Sequence, residues 1–253
     1  MTTLVNLMIP KDKLIVALDV DRTDRALALV DELRDSVGMF KIGMQLFTAA
    51  GPDLVRRIIS QGAPVFLDLK YHDIPNTVAL AAVEATRLGV SLFNIHTSGG
   101  SEMMKWTANA VAETAARENL MAPKVLGVTL LTSIDQGTLD EIGISGQPSE
   151  IVGRLANLAQ ASGLDGVVAS AQEIELIRRE VTQNDFVIVT PGIRASTDDA
   201  QDQRRTMTAA EAIRAGADYI VVGRPIIKAA DPSAAAQRFV SEIQTAQARA
   251  SQA

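Results

Sequence analysis

Short, continuously apolar runs alternate along the whole chain with segments whose apolar positions recur every three or four residues. The first kind reads as buried strand and the second as amphipathic helix. The runs predict strands at Leu14–Val20, Met39–Met44, Pro64–Lys70, Ser91–Thr97, Lys124–Thr132, Asp165–Ser170, Asp185–Thr190 and Tyr219–Arg224. Between them the helical pattern predicts Asp24–Val37, Pro52–Gln61, Pro75–Leu88, Ser101–Leu120, Pro148–Ser162, Ala171–Val181 and Thr208–Ala215, with a last helix after Asp231. Gly38, Gly62, Gly89, Gly163 and Gly216 stand where helices are expected to stop. Eight βα units in 253 residues predict an α/β fold, a single (β/α)8 TIM barrel spanning residues 1–253. A doubly wound open sheet is the alternative, but no Gly-x-Gly-x-x-Gly follows the first strand. The polar stretch from about 194 to 207 after strand seven is long enough to act as a lid.

Composition narrows the chemistry. Hydrophobic residues make up 47% and charged residues 21%, as in a globular protein with a large core. The formal net charge of −6 leaves no general electrostatic footprint for nucleic acid. Cysteine is absent, which excludes disulfides, thiolate nucleophiles and Cys metal sites. With only His72 and His96, a zinc centre would need carboxylates to complete its ligand set. No segment is long and apolar enough to span a bilayer, and the N-terminus lacks the pattern of a secretory signal. A soluble cytoplasmic protein is the expectation.

The most informative stretch is Asp68-Leu69-Lys70-Tyr71-His72-Asp73-Ile74-Pro75-Asn76-Thr77, which follows the apolar Pro64–Leu67 run. Residues two apart on a strand share a face, so Asp68 and Lys70 project together. Opposite charges on the inward face of a buried strand are costly unless they pair or act. Taken alone, Asp-x-Lys reads equally as an ion pair that orients a loop. Barrels, however, keep their active sites at the carboxyl ends of the strands, and other polar residues converge there. Strand one delivers Asp19, strand two Lys41, strand four His96 and strand five Thr132 and Ser133. Each has a plainer reading: the Asp as a helix cap, the Thr as a turn former, the His as a satisfied rim residue. Lys41 is harder to dismiss, because a buried lysine needs a partner, and Asp19 and Asp68 are the nearest candidates.

Strands seven and eight end in Pro191-Gly192-Ile193-Arg194 and Gly223-Arg224-Pro225-Ile226. Glycines let backbone N–H groups approach an anion, and arginine offers a fork suited to phosphate. A phosphate site between these two turns is the expectation for a barrel.

These motifs together resemble the orotidine 5′-phosphate decarboxylase family in its compact bacterial form. The resemblance covers nearly the whole chain and rests on Val16–Asp19, Phe40–Gly43, Asp68–Thr77, Leu131–Ser133, Pro191–Arg194, Asp202–Arg205 and Val222–Ile226. It implies conversion of orotidine 5′-monophosphate to UMP and carbon dioxide, with no cofactor or metal, in a homodimer whose two sites are shared across the interface. By position it implies Lys70 as proton donor within the array Lys41, Asp68, Lys70 and Asp73. Asp73 and Thr77 would come from the neighbouring subunit. Asp19 and Lys41 would hold the ribose hydroxyls, and Thr132 and Ser133 would sit at the pyrimidine. Gln203 would bridge base and phosphate from the lid, while Arg224 and the Gly223 amide would hold the phosphate, with Arg194 in the companion turn. Two rivals stand beside this reading. One is a metal-dependent sugar-phosphate decarboxylase that resembles the chain at the Asp-x-Lys-x-x-Asp core. The other is a non-catalytic nucleotide-phosphate binding barrel, which would need none of the lysine–aspartate array.

Overall fold

The computed structural model describes residues 9–183, 185–194 and 207–250. Eight parallel strands close into a barrel: β1 (Leu14–Ala17), β2 (Met39–Gly43), β3 (Val65–Tyr71), β4 (Leu92–His96), β5 (Lys124–Val128), β6 (Gly166–Val168), β7 (Val187–Thr190) and β8 (Tyr219–Val222). Each strand pairs with its sequence neighbours, and β8 closes the ring on β1. The expected (β/α)8 barrel is the observed architecture.

Period-two alternation divides each strand between two cores. Ile15, Ala17, Met39, Phe66, Leu92, Leu126, Val187, Val189 and Val221 fill the lumen. Their neighbours, among them Val16, Phe40, Leu67, Phe93 and Ile188, pack outward against the helices. This parity carries the next inward positions, Asp19, Lys41, Asp68 and Asn94, to the mouth at the carboxyl ends of the strands, where Lys70 follows Asp68. The opposite end is tied structurally. There Arg178 donates to Asp218 Oδ2 at 2.5 Å, and the same oxygen accepts the Ile188 N–H at 2.8 Å.

Several boundaries differ from the sequence-based expectation. Helix α2 runs from Met44 to Ser60 and kinks at Gly51, whose φ of 65° breaks the helical path ahead of Pro52. The expected start at Pro52 is therefore only its second half. Strand β5 ends at Val128 and not Thr132, because β6 offers pairing partners only as far as Val168. Thr132 and Ser133 lie in the following turn, ahead of a short helix (Gln136–Glu141) that the pattern missed, although Asp135 caps it by accepting the Thr138 N–H. Strand β8 ends at Val222, and Arg224–Ile227 forms a single helical turn in which Pro225 is pre-organised for the first turn. Finally, Ala171–Glu173 is a 3-10 turn that precedes the helix Ile174–Glu180.

After β7 the chain makes a two-residue parallel ladder, Ile193 with Met207 and Arg194 with Thr208. Both ends of the expected 194–207 lid are thus held at the barrel mouth. Residues 195–206, including Gln203, lie outside the described residues.

Candidate active site

A continuous chain of ion pairs crosses the mouth. Lys41 Nζ lies 3.3 Å from Asp19 Oδ1 and 3.2 Å from Asp68 Oδ2. Lys70 Nζ donates to Asp68 Oδ1 at 2.6 Å. Asp68 is 9% exposed, so its charge depends on these partners. Burial pushes its carboxyl up. Lys41 and Lys70, with hydrogen bonds from Lys70 and Asn94, outweigh that and hold the group below the usual carboxylate range. Asp19 stands at the exposed end of the series.

Two glycines leave room for the Asp19–Lys41 pair. A Cβ on Gly223 would sit 3.1 Å from Asp19 Oδ2, and one on Gly43 would sit 3.2 Å from Lys41 Nζ. Both are tighter than ordinary contact.

The pleat alone did not foretell how Asp68 and Lys70 meet. Leu67 pairs with Phe93 while Tyr71 pairs with Ile95, so β3 advances four residues where β4 advances two. The irregularity coincides with Lys70, whose φ of 52° is left-handed and unusual for a residue with a Cβ. Its N–H turns to the side chain of Asn94 and bonds Oδ1 at 2.8 Å. Asn94 in turn donates from Nδ2 to Asp68 Oδ1 at 2.7 Å. Asn94 was not singled out from the sequence. A polar residue at an inward position of an apolar strand was the available signal.

Three cavities open around the ion-pair chain. The largest, about 570 Å³, runs from Asp19, Lys41 and Asp68 to Gly192, Arg194, Gly223 and Arg224, so both glycine–arginine turns face one space. Lys228, also unforeseen, lines it one turn beyond Arg224. The second, about 250 Å³, joins Lys70, Asp68 and Lys41 to Thr132 and Ser133 over the apolar floor of Phe66, Val128 and Val168. The third, about 210 Å³, lies between Lys70 and the start of α2 at Gly43–Leu46. Asp73 and Thr77 line none of these three. The Asp73 carboxylate instead accepts its neighbour's N–H, from Ile74, at 2.6 Å. His96 packs against His72 in a tilted arrangement with ring centroids 5.3 Å apart. Burial, then His72 and Lys70, push its pKa down.

The closed barrel, with lysine–carboxylate pairs gathered at the carboxyl ends of its strands, is the architecture of a (β/α)8-barrel enzyme. The chain belongs to the orotidine 5′-phosphate decarboxylase / HUMPS family, whose model matches residues 12–239. Among relatives, it is 54% identical over 236 residues to the orotidine 5′-phosphate decarboxylase of Syntrophotalea carbinolica, covering 93% of this chain and 96% of that one. It is 53% identical over 235 residues to the enzyme of the same name from Moorella thermoacetica, covering 92% and 93%. The crystal structure of orotidine 5′-phosphate decarboxylase from Lactobacillus acidophilus superposes with a TM-score of 0.81 at 37% identity, covering 91% of this chain and 98% of that one. Among the described residues no helix is long and apolar enough to cross a membrane.

Proposed function

We propose that this protein decarboxylates orotidine 5′-monophosphate to UMP and carbon dioxide, the closing step of de novo pyrimidine synthesis. The observation that carries the reading is the ion-pair chain Asp19–Lys41–Asp68–Lys70, which joins a cavity with two glycine–arginine turns to a narrower one with an apolar floor. In this reading the phosphate lies against Arg224, the Gly223 amide and Arg194. Asp19 and Lys41 hold the ribose hydroxyls, and the pyrimidine enters the narrower cavity beside Thr132 and Ser133. The family resemblance would add Gln203, which lies outside the described residues, as a contact to base and phosphate.

The chemistry then follows from electrostatics. The bond from the pyrimidine ring to its carboxylate breaks, carbon dioxide leaves, and the electron pair stays on the ring carbon. The Lys70 ammonium stabilises that pair in a site of low dielectric, then transfers its proton to the carbon and is reprotonated from water. Asp68, beside the departing carboxylate, disfavours the bound substrate relative to the transition state. Phosphate binding far from the reacting carbon supplies binding energy that orders the site for the reaction.

The array is completed by Asp73 and Thr77 of a second copy. The Asp73 carboxylate lines none of the three cavities around the ion-pair chain, and the neighbouring Ile74 is 66% exposed, an apolar side chain open to burial in a dimer.

The test is an optical assay of orotidine monophosphate disappearance by the purified protein, with and without chelator, beside a sugar-phosphate substrate. Turnover of the nucleotide, unchanged by chelation, is the expected result. Turnover of the sugar phosphate alone, restored by magnesium, would overturn the proposal in favour of the metal-dependent branch. Binding without turnover of either would leave a nucleotide-phosphate binding barrel.

A further inference from the structure

We propose that Asn94 is a positioning residue for the reaction, one that sets both the backbone turn presenting Lys70 and the carboxylate its ammonium faces. The inference rests on the decarboxylase reading above and adds a residue to it. Asn94 is fully buried, and it lines none of the three cavities. It acts only through Lys70 and Asp68.

The geometry leaves one orientation for its carboxamide. The Lys70 N–H can only donate, so it must meet Oδ1, at 2.8 Å. The Asp68 carboxylate can only accept, so it must meet Nδ2, at 2.7 Å. Asp68 Oδ1 is the same oxygen that takes the Lys70 ammonium at 2.6 Å. One side chain therefore closes a ring through the Lys70 backbone, the Lys70 ammonium and the Asp68 carboxylate. The left-handed φ of 52° at Lys70 is unfavourable for a residue with a Cβ and persists only where its surroundings hold it. In an unbroken ladder the Lys70 N–H would meet a backbone carbonyl of β4; here the carboxamide of Asn94 takes it. A carboxamide offers a donor and an acceptor on separate atoms, uncharged at every pH. Leucine would leave the Lys70 N–H without its bond, and an ionised aspartate would face Asp68 with like charge.

The charged and titratable groups around position 94 are Asp68 and Lys70 on β3, Lys41 on β2 reaching through Asp68, and His96 on β4 itself. On β5 its register partner is the apolar Leu126.

Asn94→Leu and Asn94→Asp test the role, with kcat, KM and UMP affinity measured across pH beside wild type. For Asn94→Leu, kcat should fall roughly ten- to a hundredfold, the size of a lost hydrogen bond to a charged group, with UMP affinity unchanged. Asn94→Asp carries the sharper signature. Protonated, its carboxylic acid presents the same donor and acceptor as the amide; ionised, it repels Asp68. Burial and that neighbour raise its pKa above the ordinary carboxyl value of about 4. Its kcat should approach wild type at low pH and fall along a new limb as pH rises. A merely structural residue would produce no such limb. Circular dichroism and UMP binding establish folding at each pH, and if Asn94→Leu does not fold, Asn94→Asp decides alone. Wild-type kcat in the folded variants, or a loss in Asn94→Asp that does not change with pH, overturns the positioning role. Failure of wild type to turn over orotidine monophosphate would instead overturn the decarboxylase reading.

Discussion

Asp68→Asn probes the centre of the site through stability as well as rate. The carboxylate accepts from Lys70 at 2.6 Å and Asn94 at 2.7 Å and pairs with Lys41 at 3.2 Å, with its side chain only 12% exposed. Asparagine keeps the shape but removes the charge and turns an NH₂ group toward one of the lysines. Removing one partner of a buried ion pair costs about 3–5 kcal/mol. The lower end, about 3 kcal/mol, applies here because the Lys70 side chain keeps 23% exposure and can turn toward water. For a domain of this size about 3 kcal/mol corresponds to roughly 6–12 °C in Tm. The pH dependence has a definite sign. Burial raises the Asp68 pKa, but the two lysines and the hydrogen bonds lower it further, so the folded value lies below the unfolded one. The stabilisation is therefore complete above the unfolded pKa of about 3.9 and is lost as pH falls from there through the folded pKa. Thermal melts and urea titrations of both proteins from pH 7 downward should show wild type the more stable at neutral pH, with the gap closing below about pH 4. A variant as stable as wild type at pH 7, or a gap that persists unchanged into acid, would refute the view that the two lysines hold Asp68 ionised.

Three further outcomes follow from the same geometry. Lys70→Ala should abolish decarboxylation yet retain UMP binding by calorimetry, since the phosphate and ribose contacts lie elsewhere; near-native turnover would remove Lys70 from the mechanism. Arg224→Ala should lower kcat/KM by roughly ten- to a hundredfold, the equivalent of a charge-assisted contact of about 1.5–3 kcal/mol, and an unchanged kcat/KM would put the phosphate elsewhere. Mixing inactive Lys70→Ala chains with inactive Asp73→Ala chains should restore about a quarter of wild-type activity per site, because half of randomly paired dimers are mixed and each has one intact site. If mass spectrometry shows exchange and activity stays at the parental level, Asp73 serves its own chain.

Much of this protein was decided by local pattern. Continuous apolar runs set the strands, and glycine stops such as Gly89 and Gly216, both left-handed at helix ends, set the spacing of the βα units. A closed parallel barrel converts strand parity into position. Asp19, Lys41 and Asp68 could therefore be assigned to one mouth, and Arg194 and Arg224 to one cavity, from their places at the ends of apolar runs. What the sequence left open depends on contacts between residues far apart in the chain. Asn94 meets Lys70 and Asp68 only because β3 and β4 pair with a shifted register, and nothing within either strand announces that shift. Lys228 lines the larger cavity only because the chain makes one helical turn after β8, where the apolar pattern read on as strand through Arg224. Pattern reports which face of an element is buried, since burial follows the period of the backbone. It does not report which buried polar groups complete one another's hydrogen bonds, because that depends on the register that closure of the barrel imposes.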